Sequence, residues 1–243
     1  MTRVLILGGT AEARSLARLA AGERGLDIVS SLAGRVRAPV LPEGEVRVGG
    51  FGGVEGLREW LRDNAIDVLV DATHPFAAVM SSHAAAAAAA AGVPLLHLRR
   101  PGWVAAQGDS WTRVPSLPAA AAGLRGRVFL TIGRQGVSAF AGVADAWFLI
   151  RAIDPPDPPL PASREILLAR GPFAVDDEIA LLRAHRIEVL VTKDSGGPDT
   201  EGKLIAAREL GVPVIVVDRP PLPAGGAPVV AAVDDALAWL RGR

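Results

Sequence analysis

Residues 3–13 read RVLILGGTAEA, from Arg3 through Gly8, Gly9 and Thr10 to Ala13. An unbroken apolar run of this length is a strand buried on both faces. It breaks at two glycines and continues with the apolar spacing of a helix, expected over 10–22. Glycine allows a tight turn and close approach of the backbone to a ligand. A helix that starts there turns its free N–H groups and its positive dipole end toward a phosphate. Ala13 is small enough for the helix to lie close to the sheet. The pattern stops short of a full G-x-G-x-x-G, and an ordinary strand-to-helix turn is the plainer alternative. Gly8, Gly9, Thr10, Glu12 and Ala13 are the candidate dinucleotide-binding residues.

The same rhythm runs outward along the chain. Strands are expected at 27–31, 46–49, 67–72 and 94–98, with helices at 53–64 and 76–91 between them. The second half repeats it, with strands at 127–132, 146–151, 188–192 and 213–217 and helices at 175–185, 200–210 and 233–241. Apolar strands alternating with helices predict an α/β fold built on parallel sheets. Residues 99–118 have no clean period and several turn signals, so they are expected to carry the chain between two domains, 1–98 and 99–243. The last helix, 233–241, is a candidate to pack back on the first domain. Residues 155–161 are proline-rich and suggest a stiff loop. A short internal echo links the halves. Gly8-Gly9-Thr10 and Thr131-Ile132-Gly133-Arg134 each follow a first strand, and Asp71 to Pro75 and Thr192 to Gly196 each end a later one. Two similar domains facing each other would bring all four segments to carboxyl strand ends, where open sheets bind ligands.

Composition narrows the chemistry. Twenty-six basic residues balance 26 acidic ones, which argues against binding nucleic acid by phosphate neutralisation. There is no cysteine, so disulfides, thiolate metal sites and thiol nucleophiles are excluded. No metal site is expected. There is no tyrosine, which rules out a Tyr–Lys dehydrogenase pair. The alanine run around 84–91 reads as a helix packed closely on a neighbour, not as a membrane span. A cytoplasmic protein is expected.

Four more segments carry candidate sites. At the end of the second strand, where a NAD site places an acid, the chain has Ser30, Ser31 and then Arg35. Two hydroxyls and a guanidinium suit a 2′-phosphate, so NADPH is expected over NADH. In Gly49-Gly50-Phe51-Gly52-Gly53, Gly50 and Gly52 allow close approach, and Phe51 is placed to flank a ring. In Asp71-Ala72-Thr73-His74-Pro75, Thr73, His74 and Pro75 are expected to border a nicotinamide, with Pro75 in the first turn of the following helix. His83 and His97 read as helix-face and core histidines. Finally, the chain has 24 arginines and only two lysines, Lys193 and Lys203, both in one segment. Lysine offers a mobile ammonium with a tunable pKa that arginine lacks. Arg134 and Gln135, with Lys193, Asp194, Ser195, Gly196, Thr200 and Lys203, make up the candidate substrate site.

Taken together, these segments resemble the precorrin-6A reductase family of cobalamin biosynthesis. The resemblance rests on Leu7-Gly8-Gly9-Thr10-x-Glu12-Ala13, Ser31-x-Ala33-Gly34-Arg35, Gly49 to Gly53 and Asp71 to Ala77. In the second half it rests on Thr131 to Arg134, Thr192 to Gly196, Thr200, Lys203, Ala206-Ala207 and Val217-x-Arg219-Pro220. It implies two Rossmann-like domains with a ligand cleft between them and NADPH on the first. It also implies a ring-contracted tetrapyrrole as substrate, reduced at one double bond. Neighbouring pathway enzymes stay open as further partners. Such a substrate is fringed with carboxylates, which Arg134, Lys193 and Lys203, with Arg99 or Arg100, are suited to clamp. The proton donor stays open among His74, Lys193 and water. The competing readings are a reductase of the cobalt-containing ring and a non-catalytic NADP sensor. A methyltransferase using S-adenosylmethionine would want an acid where Ser30 and Ser31 stand.

Overall fold

The structure is a computed structural model and describes residues 1–34 and 41–243; the expectation for Arg35 falls outside the described residues. In chain order the elements are β1 (Thr2–Leu7), α1 (Ala11–Ala21), β2 (Leu26–Leu32), β3 (Glu45–Val48), α2 (Val54–Asp63), β4 (Val68–Asp71), α3 (Ala78–Ala91) and β5 (Leu95–Leu98). There follow β6 (Trp111–Val114), α4 (Leu117–Ala121), β7 (Gly126–Thr131), a 3-10 turn at Arg134–Phe140, β8 (Ala146–Ala152), β9 (Arg164–Leu168) and α5 (Val175–Ala184). The chain ends with β10 (Val189–Lys193), a 3-10 turn at Pro198–Thr200, α6 (Gly202–Leu210), β11 (Val214–Val217), β12 (Val229–Val230) and α7 (Val233–Arg241). These form two compact units, Met1–Pro101 with Pro220–Arg243, and Gly102–Arg219. The expected second domain ran from 99 to 243; the segment from Pro220 onward, and not its last helix alone, belongs to the first unit. No helix among the described residues is long and apolar enough to cross a membrane.

The first unit is a six-stranded sheet in the order β12-β5-β4-β1-β2-β3, parallel throughout. Alternate residues of β1 serve opposite faces. Val4 and Ile6 pack with Leu16, Ala17 and Ala20 of α1 and Leu237 and Leu240 of α7. Leu5 and Leu7 pack with Leu57 and Leu61 of α2 and Ala84 and Ala88 of α3. The alanine-rich α3 is thus a closely packed helix, and Gly92 closes it in the left-handed conformation, φ 68°. Its start differs from expectation. Ala77 N donates to His74 O at 2.7 Å, and the turn so formed keeps Pro75 ahead of the helix.

The second unit repeats the topology, β6-β11-β10-β7-β8-β9, again parallel. In this order β7 stands where β1 does and β10 where β4 does. The sequence echo therefore marks equivalent strand ends in the two sheets. The stretch 99–118, expected as a crossing, contains β6, which pairs with β11 from Trp111 to Val114. β6, β9 and β12 were not legible as strands. All three lie at sheet edges. An edge strand has one open side and lacks the continuous apolar run of a central one.

Charge is buried inside the second unit. Arg151 of β8 and Glu178 of α5 form a two-pronged ion pair, and the guanidinium lies 3.7 Å from the Phe173 ring centre. Lys203 is 3% exposed, with Nζ donating to Thr200 O and 4.7 Å from the Trp103 ring. Burial, with the Arg151 charge adding to it, pushes the Lys203 pKa down to about 7, against the pull of Glu178 and Glu201. A buried ammonium held below its usual value destabilises the fold where it must stay charged. The unfolded chain binds the extra proton between about pH 7 and 10.5, so stability rises with pH across that window. Lys203→Met keeps the stem and removes the charge. Denaturant unfolding at a series of pH values should show wild type gaining a few kcal/mol on K203M from neutral to alkaline pH. A difference that stays flat would place the ammonium in solvent.

Candidate active site

In the first unit the site grows from the end of β1. Gly8 N donates to Ser31 O at 2.9 Å, joining the turn to β2. Gly9 has φ +112°, and a Cβ built there meets nothing within 4 Å, so the space over the turn stays open. A Cβ on Gly8 would lie 3.5 Å from Ala13 Cβ, the close helix–sheet approach expected of a small residue. Thr10 caps α1: its Oγ1 accepts from Ala13 N at 3.1 Å and donates to Ala72 O at 2.9 Å. One hydroxyl thereby joins the exits of β1 and β4. Glu12 is held by Arg100 at 2.7 Å.

The end of β2 is built differently from expectation. Ser30 is buried, and its Oγ has no hydrogen-bond partner among the described residues. Ser31 Oγ accepts from Arg47 Nη1 at 3.2 Å. Arg47, on β3, also donates to Gly49 O and Gly50 O, both at 2.7 Å, and its guanidinium stacks 3.7 Å from the Phe51 ring centre. Burial lowers its pKa. Phe51 meets Trp60 edge to face at 5.7 Å. The glycine loop is therefore braced, with positive φ at Gly49, Gly52 and Gly53. Gly56 in α2 is part of the same device, because a Cβ there would stand 1.8 Å from Phe51 O. Sequence reasoning passed over Arg47 and Gly56. The available signal was an arginine two residues ahead of the glycine pair, but its partners are set by strand pairing, which puts Ser31 beside Arg47.

Beyond β4, Asp71 is buried. Its Oδ1 accepts from Thr73 N at 3.1 Å and Thr73 Oγ1 at 2.6 Å, and its Oδ2 lies 3.1 Å from His97 Nδ1. Burial raises the carboxyl, and hydrogen bonds from His97, Ser81 and Thr73 more than reverse this, leaving its pKa below the usual value. His74 Nδ1 accepts from Phe76 N at 3.2 Å. His97, read as a core histidine, is indeed buried, yet it joins Asp71, Thr73, His74, Ser81 and Arg99 in lining a small recess.

In the second unit, Gly133, φ +75°, leads from β7 into the 3-10 turn that begins with Arg134 and Gln135. At the end of β10, Lys193 is half-buried, and burial lowers its pKa. Asp194 is 4% exposed and turned inward. Its Oδ1 accepts from Trp103 N at 3.0 Å, its Oδ2 from Arg113 Nη2 at 2.9 Å, and its carbonyl from Arg219 Nε at 2.6 Å. Gly102 is required beside it, since a Cβ there would lie 2.7 Å from Asp194 Oδ2. Ser195 N donates to Lys193 O, Gly196 has φ +65°, and Gly197 O accepts from Trp103 Nε1. Thr200 is half-buried above Lys203. The expected substrate residues thus fall into two groups. Arg134, Gln135, Lys193, Ser195 and Thr200 keep surface, whereas Asp194, Gly196 and Lys203 are buried within the unit.

The chain matches the family model described as precorrin-6x reductase CbiJ/CobK over residues 3–241. It is 57% identical to the precorrin-6A reductase of Rhodococcus erythropolis, over 99% of this chain and 98% of that one. The solved structure named CobK precorrin-6A reductase superposes with a TM-score of 0.92 at 46% identity, covering 100% of this chain and 97% of that one. The cobalt-precorrin-6A reductase of Priestia megaterium is more distant, 29% identical over 91% of this chain and 92% of its own. With the glycine turn, the braced loop and the repeated sheet all in place, the chain belongs to the precorrin-6x reductase CbiJ/CobK family.

Proposed function

We propose that this protein reduces precorrin-6A to its dihydro product, precorrin-6B, in cobalamin biosynthesis, with NADPH as reductant. The observation that carries this is the cluster of Gly8, Gly9 and Thr10 with Ala72, Thr73 and His74 at adjoining strand ends, joined by the Thr10 hydroxyl. Such a crevice, between a first and a fourth strand, is where open sheets take dinucleotides. The residues fit the cofactor: a turn with no Cβ at Gly9, a helix N-terminus beyond it, and a buried Ser30 hydroxyl without a partner among the described residues.

When bound, NADPH supplies the hydride. The protein's own residues supply the rest. Gly8, Gly9 and the start of α1 receive the pyrophosphate, with Thr10 and Ala13 fixing the turn. Ser30, Ser31 and Arg35 take the 2′-phosphate end, and Gly50, Phe51 and Gly52 form the braced loop beside it. Thr73, His74 and Pro75 border the nicotinamide. In the second unit Arg134, Gln135, Lys193, Ser195 and Thr200 meet the carboxylates of the tetrapyrrole, with Asp194, Gly196 and Lys203 shaping that surface from within. The metal-free ring is the preferred substrate, because the more similar relatives carry that name. This reading places the enzyme in the cytoplasm.

The direct test is loss of NADPH absorbance on mixing with precorrin-6A. No oxidation with this ring, but turnover with its cobalt form, would move the chain to the anaerobic route. Arg35→Ala should weaken NADPH binding at least tenfold and leave NADH binding nearly unchanged, measured by fluorescence titration; equal losses would remove Arg35 from the phosphate. Arg47→Ala should differ from it, weakening both coenzymes, because it releases the loop and not the phosphate. Lys193→Ala should raise the KM for the tetrapyrrole while NADPH affinity holds, and unaltered kinetics would take Lys193 out of the site.

A further inference from the structure

Reduction of a ring double bond delivers two electrons and one hydrogen to one carbon as hydride and needs a proton at its neighbour. This chain has no cysteine or tyrosine to supply it. His74 follows β4, the strand paired with β1 beside the glycine turn, but its hydrogen bonding makes it a poor acid. Its Nδ1 accepts the Phe76 N–H, so the neutral ring carries its proton on Nε2. Protonating Nδ1 would break that bond, and giving up the Nε2 proton from the neutral ring would leave an anion.

The other imidazole lining the same recess has the opposite wiring. His97 Nδ1 faces Asp71 Oδ2 at 3.1 Å. Asp71 also takes hydrogen bonds from Thr73 and Ser81, which hold it ionised although it is buried. A carboxylate on Nδ1 holds the ring in one orientation and leaves Nε2 as the nitrogen that can exchange a proton. This is the orienting logic of a carboxylate behind a catalytic histidine. The recess has about 10 Å³ of room for the centre of a water molecule, about one molecule's worth, and its polar groups are interleaved with Pro75, Leu98 and Leu222. The titratable and charged groups lining it are Asp71, His74, His97 and Arg99. Arg99 is tied to Pro220 O at 2.8 Å, which fixes its guanidinium beside the recess.

We propose that the His97–Asp71 pair is the proton reserve for the reaction, discharging through a single water in this recess, and that His74 orients and does not donate. The inference rests on the reductase reading above. In the balanced step the cofactor is oxidised by loss of hydride to one ring carbon. The neighbouring carbon forms its new C–H bond with the proton relayed from His97 Nε2, and His97 is left neutral until solvent recharges it.

The test uses His97→Asn, whose side-chain amide retains a donor for Asp71 but cannot carry a proton. NADPH affinity by fluorescence titration should stay within about twofold, while kcat falls by about 100-fold. The dependence of kcat on a protonated group should vanish, and a solvent deuterium isotope effect should appear or grow. A normal kcat and an unchanged pH profile in H97N would overturn the proposal. Nitrogen-15 NMR of the ligand-free wild type, with only four histidines to resolve, gives an independent readout. One imidazole should show a far-downfield, slowly exchanging Nδ1–H that disappears in both His97→Asn and Asp71→Asn. Its absence in wild type would also overturn the pairing. Failure of wild type to oxidise NADPH with precorrin-6A would defeat the functional reading alone and leave the NMR result to stand or fall by itself.

Discussion

The Thr10 hydroxyl bridges two strand ends that are 62 residues apart in the chain, accepting from Ala13 N and donating to Ala72 O. The rest of the first unit's site depends on that bridge. It caps α1, so the helix begins where the glycine turn ends. It also ties the β1 exit to the β4 exit, so Thr73 and His74 stand beside the turn. A serine would offer the same hydroxyl, but the methyl of threonine stiffens χ1 and holds the oxygen in one orientation. The residue is buried, so neither hydrogen bond competes with water.

Around this bridge the unit builds rigid edges from backbone and charge. Arg47 fills the role that a bulky side-chain scaffold would fill elsewhere. Its guanidinium takes two loop carbonyls and a serine hydroxyl, and its flat face covers Phe51. The glycines then supply shape without blocking approach. A glycine-rich loop would otherwise lose much conformational freedom on binding a ligand. Bracing it in advance removes part of that cost.

The second unit solves a related problem with buried charge. Asp194 gathers Trp103 N, Arg113 and the Arg219 side chain around the end of β10, so the segment bearing Lys193 and Ser195 leaves the sheet in one conformation. The Arg151–Glu178 pair and Lys203 lie deeper, among Phe173 and Trp103. Ions removed from water are expensive, so this buried pair is weak ground for stability and fixes the conformation of the elements around it.

Much of the architecture was legible in residue order alone. Central strands such as Val4 to Leu7 and Val128 to Leu130 are buried on both faces and must be apolar throughout, and helices α1, α5 and α7 show their period. The glycine turn at Gly8 and Gly9 and the polar ends of β2 and β4 stood out in the sequence because they interrupt that pattern. The edge strands β6, β9 and β12 were not, since one open side relaxes the demand for apolar residues. What only the tertiary structure decided is which polar side chains keep surface and which are engaged within the fold. Asp194 and Lys203 look like ligand groups in sequence and are turned inward, while His97 looks like core and shares a recess with Asp71 and His74. Sequence determines a side chain's chemistry, but its partners come from strand pairing and chain return across tens of residues, and those partners decide whether its charge or proton is free to act.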